Sequence, residues 1–229
     1  MEKILVLIPA YNASKTLSFL IEQISPFFKK EDILVVDDGS NDLTFDIAKE
    51  KGVIVFQHHK NRGKGQALLT GFDYALKKGY EGVLTMDADF QHPPHLIKDF
   101  LSKKEKNTKA ILIGTRRRDY KNRQRSRDMP FLRFLSNTLT SLAISIITRE
   151  RIYDSQSGYR LIPTTCLKKM RLRSKKYDLE SEILLKACRL GFKIDSIPIP
   201  TVYTGSKSFI NPCKDTLRFL YLLWRSFWW

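Results

Sequence analysis

DILVVDDGSNDLTFDIAKEKGVIVFQHH, residues 32–59, holds three signals in succession. An apolar run rich in Val and Ile (32–38) ends in two aspartates and a glycine, a helical stretch around 41–51 follows, and a second apolar run (53–59) closes the unit. Nearly continuous Val, Ile and Leu in such runs is what strands need when helices cover both faces of a mostly parallel sheet. Ser40 or Asn41 is placed to cap the intervening helix.

The alternation continues on either side. KILVLIP (3–9), GVLTMDAD (82–89) and AILIGTR (110–116) read as strands, with helices around 14–28, 64–78 and 94–104 and Pro94 in the first turn of the last. The prediction is an α/β fold with a mostly parallel central sheet and helices on both faces. No internal repeat or low-complexity linker interrupts it. Ligands of such sheets bind beyond the carboxyl ends of the strands, and polar residues gather there: Pro9, Tyr11 and Asn12, then Asp37 and Asp38, Asp87 and Asp89, and Arg116. Turn chemistry explains any one of these, but explains the joint pattern less well.

With 229 residues, 42% of them hydrophobic and 28% charged, the chain can bury a sizeable core and is not a disordered segment. Three cysteines without a CxxC pair argue against a disulfide framework or a zinc site and fit a reducing compartment. The N-terminus enters a strand directly, without the features of a signal peptide, so a cytoplasmic location is expected. No run reaches the roughly 18 to 20 apolar residues of a membrane span; FLSNTLTSLAISIIT (134–148) is interrupted by polar residues and reads as a buried or interfacial helix. Of the net charge of +16, the stretches 116–133 and 168–176 supply +12: eight Lys/Arg less two Asp, and six Lys/Arg. Such basic clusters suit a solvated face, nucleic acid, anionic lipid or a phosphate-bearing substrate.

Residues i and i+2 of a strand face the same way, so Asp87 and Asp89 can converge on a hard divalent cation, Mg²⁺ or Mn²⁺, with Gln91 as a third oxygen ligand. The alternative is a structural turn. A glycosidase dyad fits less well, because its carboxylates lie roughly 5 Å or more apart, usually on different elements. HKNRGKGQA (59–67) fails the P-loop pattern, since Lys64 is followed by Gly65. It remains a basic turn that can bring Arg62 or Lys64 near an anion, or a merely exposed one.

IPAYN (8–12), VVDDGS (35–40), NRGKG (61–65), MDADFQHPP (86–94), GTR (114–116), DSQSGYR (154–160) and IPIPTVY (197–203) together resemble the inverting family 2 glycosyltransferases, and among them the polyprenyl-phosphate glycosyltransferases. The resemblance implies a nucleotide-diphospho-sugar transferase (GT-A type) fold and a division of roles. Pro9, Tyr11 and Asp38, with Asn12 and Lys64 on the same rim, would hold the nucleotide of a GDP- or UDP-sugar. Asp87, Asp89 and Gln91 would hold the metal beneath its diphosphate. Asp154 and Gln156 would lie near the donor sugar, with Arg160 bracing them. Arg116 and Arg133 would bind the phosphate of a polyprenyl acceptor; apart from the resemblance, Lys207 stands beside the tail, where it can meet a lipid phosphate. Glu180 falls where related enzymes place the base for a hydroxyl acceptor. A lipid phosphate needs little base help, and Glu180 would then orient an arginine; a place in the first turn of a helix, where acids are favoured, is the structural alternative.

The expected organisation is a catalytic domain over 1–212 and an amphipathic helix over 213–229. In KDTLRFLYLLWRSFWW (214–229), Leu217, Leu220, Tyr221, Trp224, Phe227 and Trp228 keep helical spacing. That helix suits the lipid interface at the inner face of the membrane, a membrane partner subunit, or the domain's own core. Two other readings stand beside lipid-phosphate glycosylation: transfer to a sugar hydroxyl in surface polysaccharide, and a basic lipid- or nucleic-acid-binding module on a degenerate transferase fold. No nucleic-acid-reading motif supports the last, so nucleic acid is not an expected partner.

Overall fold

The computed structural model describes residues 3–107, 109–116, 131–200 and 212–229, without the side chains of 131–134 and 212–214. A seven-stranded sheet forms its centre, in the order β3-β2-β1-β4-β6-β5-β7. The strands are β1 (Ile4–Ala10), β2 (Ile33–Asp37), β3 (Ile54–Gln57), β4 (Gly82–Thr85), β5 (Ala110–Thr115), β6 (Arg160–Pro163) and β7 (Lys193–Pro198). β6 runs antiparallel to both its neighbours, and the other pairings are parallel. This reversal has a consequence for the site. The start of β6, and therefore DSQSGYR before it, lies on the same rim as the carboxyl ends of β1, β2, β4 and β5.

Alternation along the strands sorts the core into two layers. Leu5 and Leu7 of β1, with Leu34 and Val36 of β2, face α3 (Lys64–Lys77), α7 (Asp178–Arg189) and α8 (Pro212–Ser226). Val6 and Ile8, with Ile33 and Val35, face α1 (Ser14–Ile24), α2 (Thr44–Glu50) and α4 (Ile97–Lys106). Both faces of the sheet are covered, as the apolar strand runs predict.

Three local expectations need correction. β4 ends at Thr85 rather than reaching Asp89, because after Met86 N–H bonds Leu7 O (3.0 Å) the next donor, Asp87 N–H, goes to His92 Nδ1 (3.0 Å). Asp87 and Asp89 therefore sit in a turn, with Phe90 at φ 62°. Neither Ser40 nor Asn41 caps α2. The helix starts at Thr44, and Asp42 accepts its N–H (3.0 Å) as well as that of Ser14 (3.1 Å), so one carboxylate serves the start of both α1 and α2. Ser40 instead turns back onto Asp37.

α5 (Phe131–Thr148) inverts the simple hydrophobic reading. Its Asn137 and Ser141 are buried, whereas Leu135, Leu139, Leu142 and Ile146 are exposed. The inward polar stripe has work to do: Ser141 Oγ accepts Ser155 N–H (3.0 Å) and Ser145 Oγ accepts Ile152 N–H (3.0 Å). An irregular segment brought against a helix needs such partners for its backbone. α8 shows a second exposed apolar face. Leu222 is 1% exposed and joins the core, while Leu217, Leu220, Tyr221, Trp224, Phe227 and Trp228 are all more than half exposed. Among the described residues no helix is long and apolar enough to cross a membrane.

Candidate active site

The rim is built around two aspartates, buried Asp38 and half-buried Asp87. Asp38 follows β2 and is 2% exposed. Its carboxylate accepts Arg62 N–H (3.0 Å) and Gly63 N–H (2.6 Å) and meets His58 Nδ1 at 2.7 Å. His58 Nε2 reaches Thr70 Oγ1 of α3 at 3.0 Å. Asp38 thus fixes the NRGKG turn from beneath, a role its position in VVDDGS did not disclose. Asp37 accepts Ser40 N–H and Gln57 Nε2–H (3.0 and 2.9 Å). Asn12, at φ 50°, links the first two motifs: its N–H bonds Ser40 Oγ and its Oδ1 accepts Asn41 N–H, both at 2.9 Å. Pro9 lies within β1 opposite Val36, and Tyr11 follows, half-buried, at the rim.

Asp87 is the centre of the second cluster. Lys64 Nζ, on the first residue of α3, lies 2.6 Å from Asp87 Oδ1 and 2.8 Å from Glu180 Oε1 of α7. One ammonium therefore joins three motifs distant in sequence. Burial works against charge on Lys64, but the two carboxylates outweigh it and hold its pKa above the usual lysine range. Burial likewise opposes charge on Asp87, yet Lys64 and His92 keep its carboxyl well below its usual value. Asp89 is pushed the other way, upward, by burial and then by the charge of Asp87.

A cation between the two carboxylates would relieve that opposition. Asp87 and Glu180 share Lys64, and Asp89 bears the cost of the neighbouring Asp87 charge. Two carboxylates in this position offer oxygen donors to a hard divalent ion. What Gln91 contributes in the structure is its backbone N–H, given to Asp89 Oδ1 (3.1 Å). Among the described residues no group of three His, Cys, Asp or Glu is placed to hold a metal ion.

His92 is a site residue that sequence reasoning missed. It is 2% exposed, stacks on Tyr159 (centroids 5.1 Å apart), and accepts Asp87 N–H through Nδ1. Burial lowers its pKa to about 4, so the ring is neutral and Nε2 carries the proton, 3.8 Å from Asp87 Oδ2. The QHPP sequence holds the signal, a histidine in a tight turn directly after the aspartates. Gly158 closes the pocket behind Asp87: a Cβ there would lie 2.6 Å from both carboxylate oxygens.

The third cluster neutralises itself. Arg116 Nε and Nη2 donate to Asp154 Oδ2 and Oδ1 at 2.8 and 3.1 Å, a two-point pair. Gln156 N–H also bonds Asp154 Oδ1 (3.2 Å), and its side-chain amide reaches Thr140 Oγ1 of α5 (3.3 Å). Arg160 is 1% exposed and donates to the backbone oxygens of Ser155, Ser157 and Glu180 at 2.6, 2.7 and 2.6 Å. It braces the DSQSGYR loop against α7. Among the described residues the side-chain partner of Glu180 is Lys64, and Arg160 donates to its carbonyl. The side chains of Arg133 and Lys207 lie outside the described residues.

Comparison with known proteins decides the family. The model of glycosyl transferase family 2 matches residues 5–170. The chain belongs to that family. As a family 2 glycosyltransferase it is 31% identical, over 88% of its length and 86% of the relative's, to a UDP-N-acetylglucosamine–dolichyl-phosphate N-acetylglucosaminyltransferase of Methanococcus voltae. It is 30% identical, over 86% of its length and 77% of the relative's, to the polyprenol monophosphomannose synthase of Mycolicibacterium smegmatis. The GT-A type fold is shared with glucosyl-3-phosphoglycerate synthase of Mycobacterium tuberculosis in complex with Mn²⁺, UDP-glucose and phosphoglyceric acid. That match has a TM-score of 0.74 and 18% identity over 98% of this chain and 79% of that one. Within the transferase the family match takes in all three rim clusters except Glu180, which α7 supplies from beyond it.

Proposed function

We propose that this transferase moves a sugar of the mannose or glucose type from a GDP- or UDP-linked donor to a polyprenyl phosphate, with inversion and with the help of a divalent metal. The observation that carries the reading is that two relatives, each alignable over most of both chains, bear the names of polyprenyl-phosphate sugar transferases. Pro9, Tyr11, Asn12, Asp38 and Lys64 frame the nucleotide side of the rim, and Asp154 and Gln156 the sugar side. Asp87 and Asp89, with Gln91 beside them, would hold Mg²⁺ or Mn²⁺, which supplies charge stabilisation to the departing nucleoside diphosphate.

The chain's own groups prepare a direct displacement. Lys64 stays protonated between Asp87 and Glu180 and keeps both carboxylates aimed inward. Neutral His92 fixes the backbone of Asp87. Arg116, held by Asp154, and Arg133 are assigned to the acceptor phosphate, with Lys207 nearby. An acceptor that is already anionic attacks the anomeric carbon from the face opposite the leaving group without a base. Transfer to a hydroxyl would ask Glu180 for that proton, and the 2.8 Å ion pair to Lys64 occupies the carboxylate instead.

The exposed apolar faces of α5 and α8, with Tyr and Trp beside Arg, support peripheral seating at the cytoplasmic membrane face or against a membrane subunit. Titration of GDP and UDP into the protein with Mn²⁺ and with EDTA tests the donor site. Metal-dependent binding of one nucleotide, lost in Asp89→Ala, is expected; absence of binding by both overturns the reading and returns attention to the basic surface as a binding module.

A further inference from the structure

The basic run 168–176 does not all face solvent. Its last residues cross the start of α3, where Gln66 N–H donates to Lys175 O at 3.0 Å. A Cβ on Gly65 would lie 2.5 Å from Lys175 C and Lys176 O. A Cβ on Gly63, which sits at φ 99°, would lie 2.3 Å from Lys176 Cδ and 2.6 Å from its Nζ. The two glycines of NRGKG are thus a seat for residues 175 and 176, and the Lys176 stem lies across the turn that Asp38 holds from below.

The charges around this seat do not balance. Lys64 is committed to Asp87 and Glu180. The Asp38 carboxylate is committed to His58 and to the N–H groups of Arg62 and Gly63. The side chains of Arg62 and Lys176 make no ion pair among the described residues. An ordinary surface lysine keeps its rotamer freedom in water; this one is laid across the backbone of Gly63, the residue after Arg62, in the turn that Asp38 holds.

We propose that Lys176 is a phosphate-binding residue of the transferase site, acting with Arg62 on a phosphate-bearing substrate. The inference rests on the transferase reading, and the phosphate belongs to the diphosphate of the donor or to the acceptor. Its position beside the Asp38 turn makes the donor the expected source.

Lys176→Ala, Lys176→Arg and, as a control with the same charge loss on an exposed position, Lys168→Ala test it in the full chain with Mn²⁺. The readouts are titration with UDP and GDP and steady-state transfer with donor and polyprenyl phosphate varied separately. Lys176→Ala is expected to weaken nucleoside diphosphate binding and raise donor KM about tenfold, the order of one charge-assisted contact. kcat should move little, Lys168→Ala should match the native chain, and Lys176→Arg should recover most of the loss. A rise confined to acceptor KM, with nucleotide affinity intact, assigns the phosphate to the acceptor. Unchanged KM for both substrates overturns the role of Lys176 while leaving the transferase reading in place. No nucleotide binding by the native chain overturns both.

Discussion

Glu180 and Glu182 leave the same turn of α7 about 200° apart around its axis, and they show what separates a structural charge from a working one. Glu182 is fully buried and saturated. It accepts Ser174 N–H (2.7 Å) and Arg173 N–H (3.0 Å), and it pairs with Lys186 (2.8 Å) and with Arg225 of α8 (3.0 Å). Burial opposes its charge, but the Lys186 ammonium and the two backbone donors prevail and hold its pKa below the usual 4.5. Among the described residues Glu180 pairs with one cation, Lys64, and shares it with Asp87. Where the chain needs a fixed joint between α7, α8 and the 170–176 loop, each lone pair has a donor. Where it faces the rim, Glu180 and Asp87 share the one ammonium of Lys64.

The largest expected effect tests the second half of that contrast. Asp89→Asn should lower transfer by about 10²–10³-fold, the usual loss when a group stabilising developing charge is removed. Burial and Asp87 push the Asp89 carboxyl upward, so its charge costs the folded state more than the unfolded chain. Thermal unfolding in EDTA should therefore show a melting temperature equal to or above the native one. A clear drop in melting temperature would make Asp89 a structural residue like Glu182.

Glu182→Gln should behave in the opposite sense. Breaking a buried ion pair by removing one partner costs about 3 kcal/mol, or about 6–12 °C in a chain of this size, with nucleotide affinity unchanged. The pH dependence follows from the lowered pKa. The stabilisation by Glu182 is complete above its ordinary value of 4.5 and is lost as pH falls through the lower folded value. The stability gap between native protein and Glu182→Gln should therefore be full at pH 7 and narrow below pH 4.5, in chemical denaturation at each pH. A constant gap down to pH 3 would assign the stabilisation to packing rather than charge.

Both layers of the sheet were legible in the sequence because strand burial leaves a direct mark, runs of Val, Ile and Leu with polar residues at one end. The rim aspartates were legible for the same reason. What escaped is whatever depends on a partner far along the chain. The glycines of NRGKG read as a basic turn, near an anion or merely exposed, until residues 175 and 176 lay against them. Asp38 is occupied by a turn some 24 residues on. The serines of α5 looked like interruptions of an apolar helix, and they are its inward face because the 152–156 segment needs hydrogen-bond partners there. His92 was visible as a letter, but its stacking on Tyr159 required the antiparallel β6, which no pattern of alternation announced.

The smallest expected effect is the most informative about the acceptor. Glu180→Gln keeps the shape of the side chain and leaves Lys64 with Asp87 as its counter-ion, so the fold should hold within about 1 kcal/mol. If the nucleophile is a lipid phosphate, no proton has to be removed and kcat should fall only a few-fold, by about 1 kcal/mol of barrier or less. If it is a hydroxyl, loss of the base should cost about 10²–10⁴-fold. Steady-state rates with a short-chain polyprenyl phosphate read the difference directly. The large loss would also reverse the contrast between the two glutamates. Glu180 would then be held by Lys64 only until substrate enters, whereas Glu182 stays paired throughout.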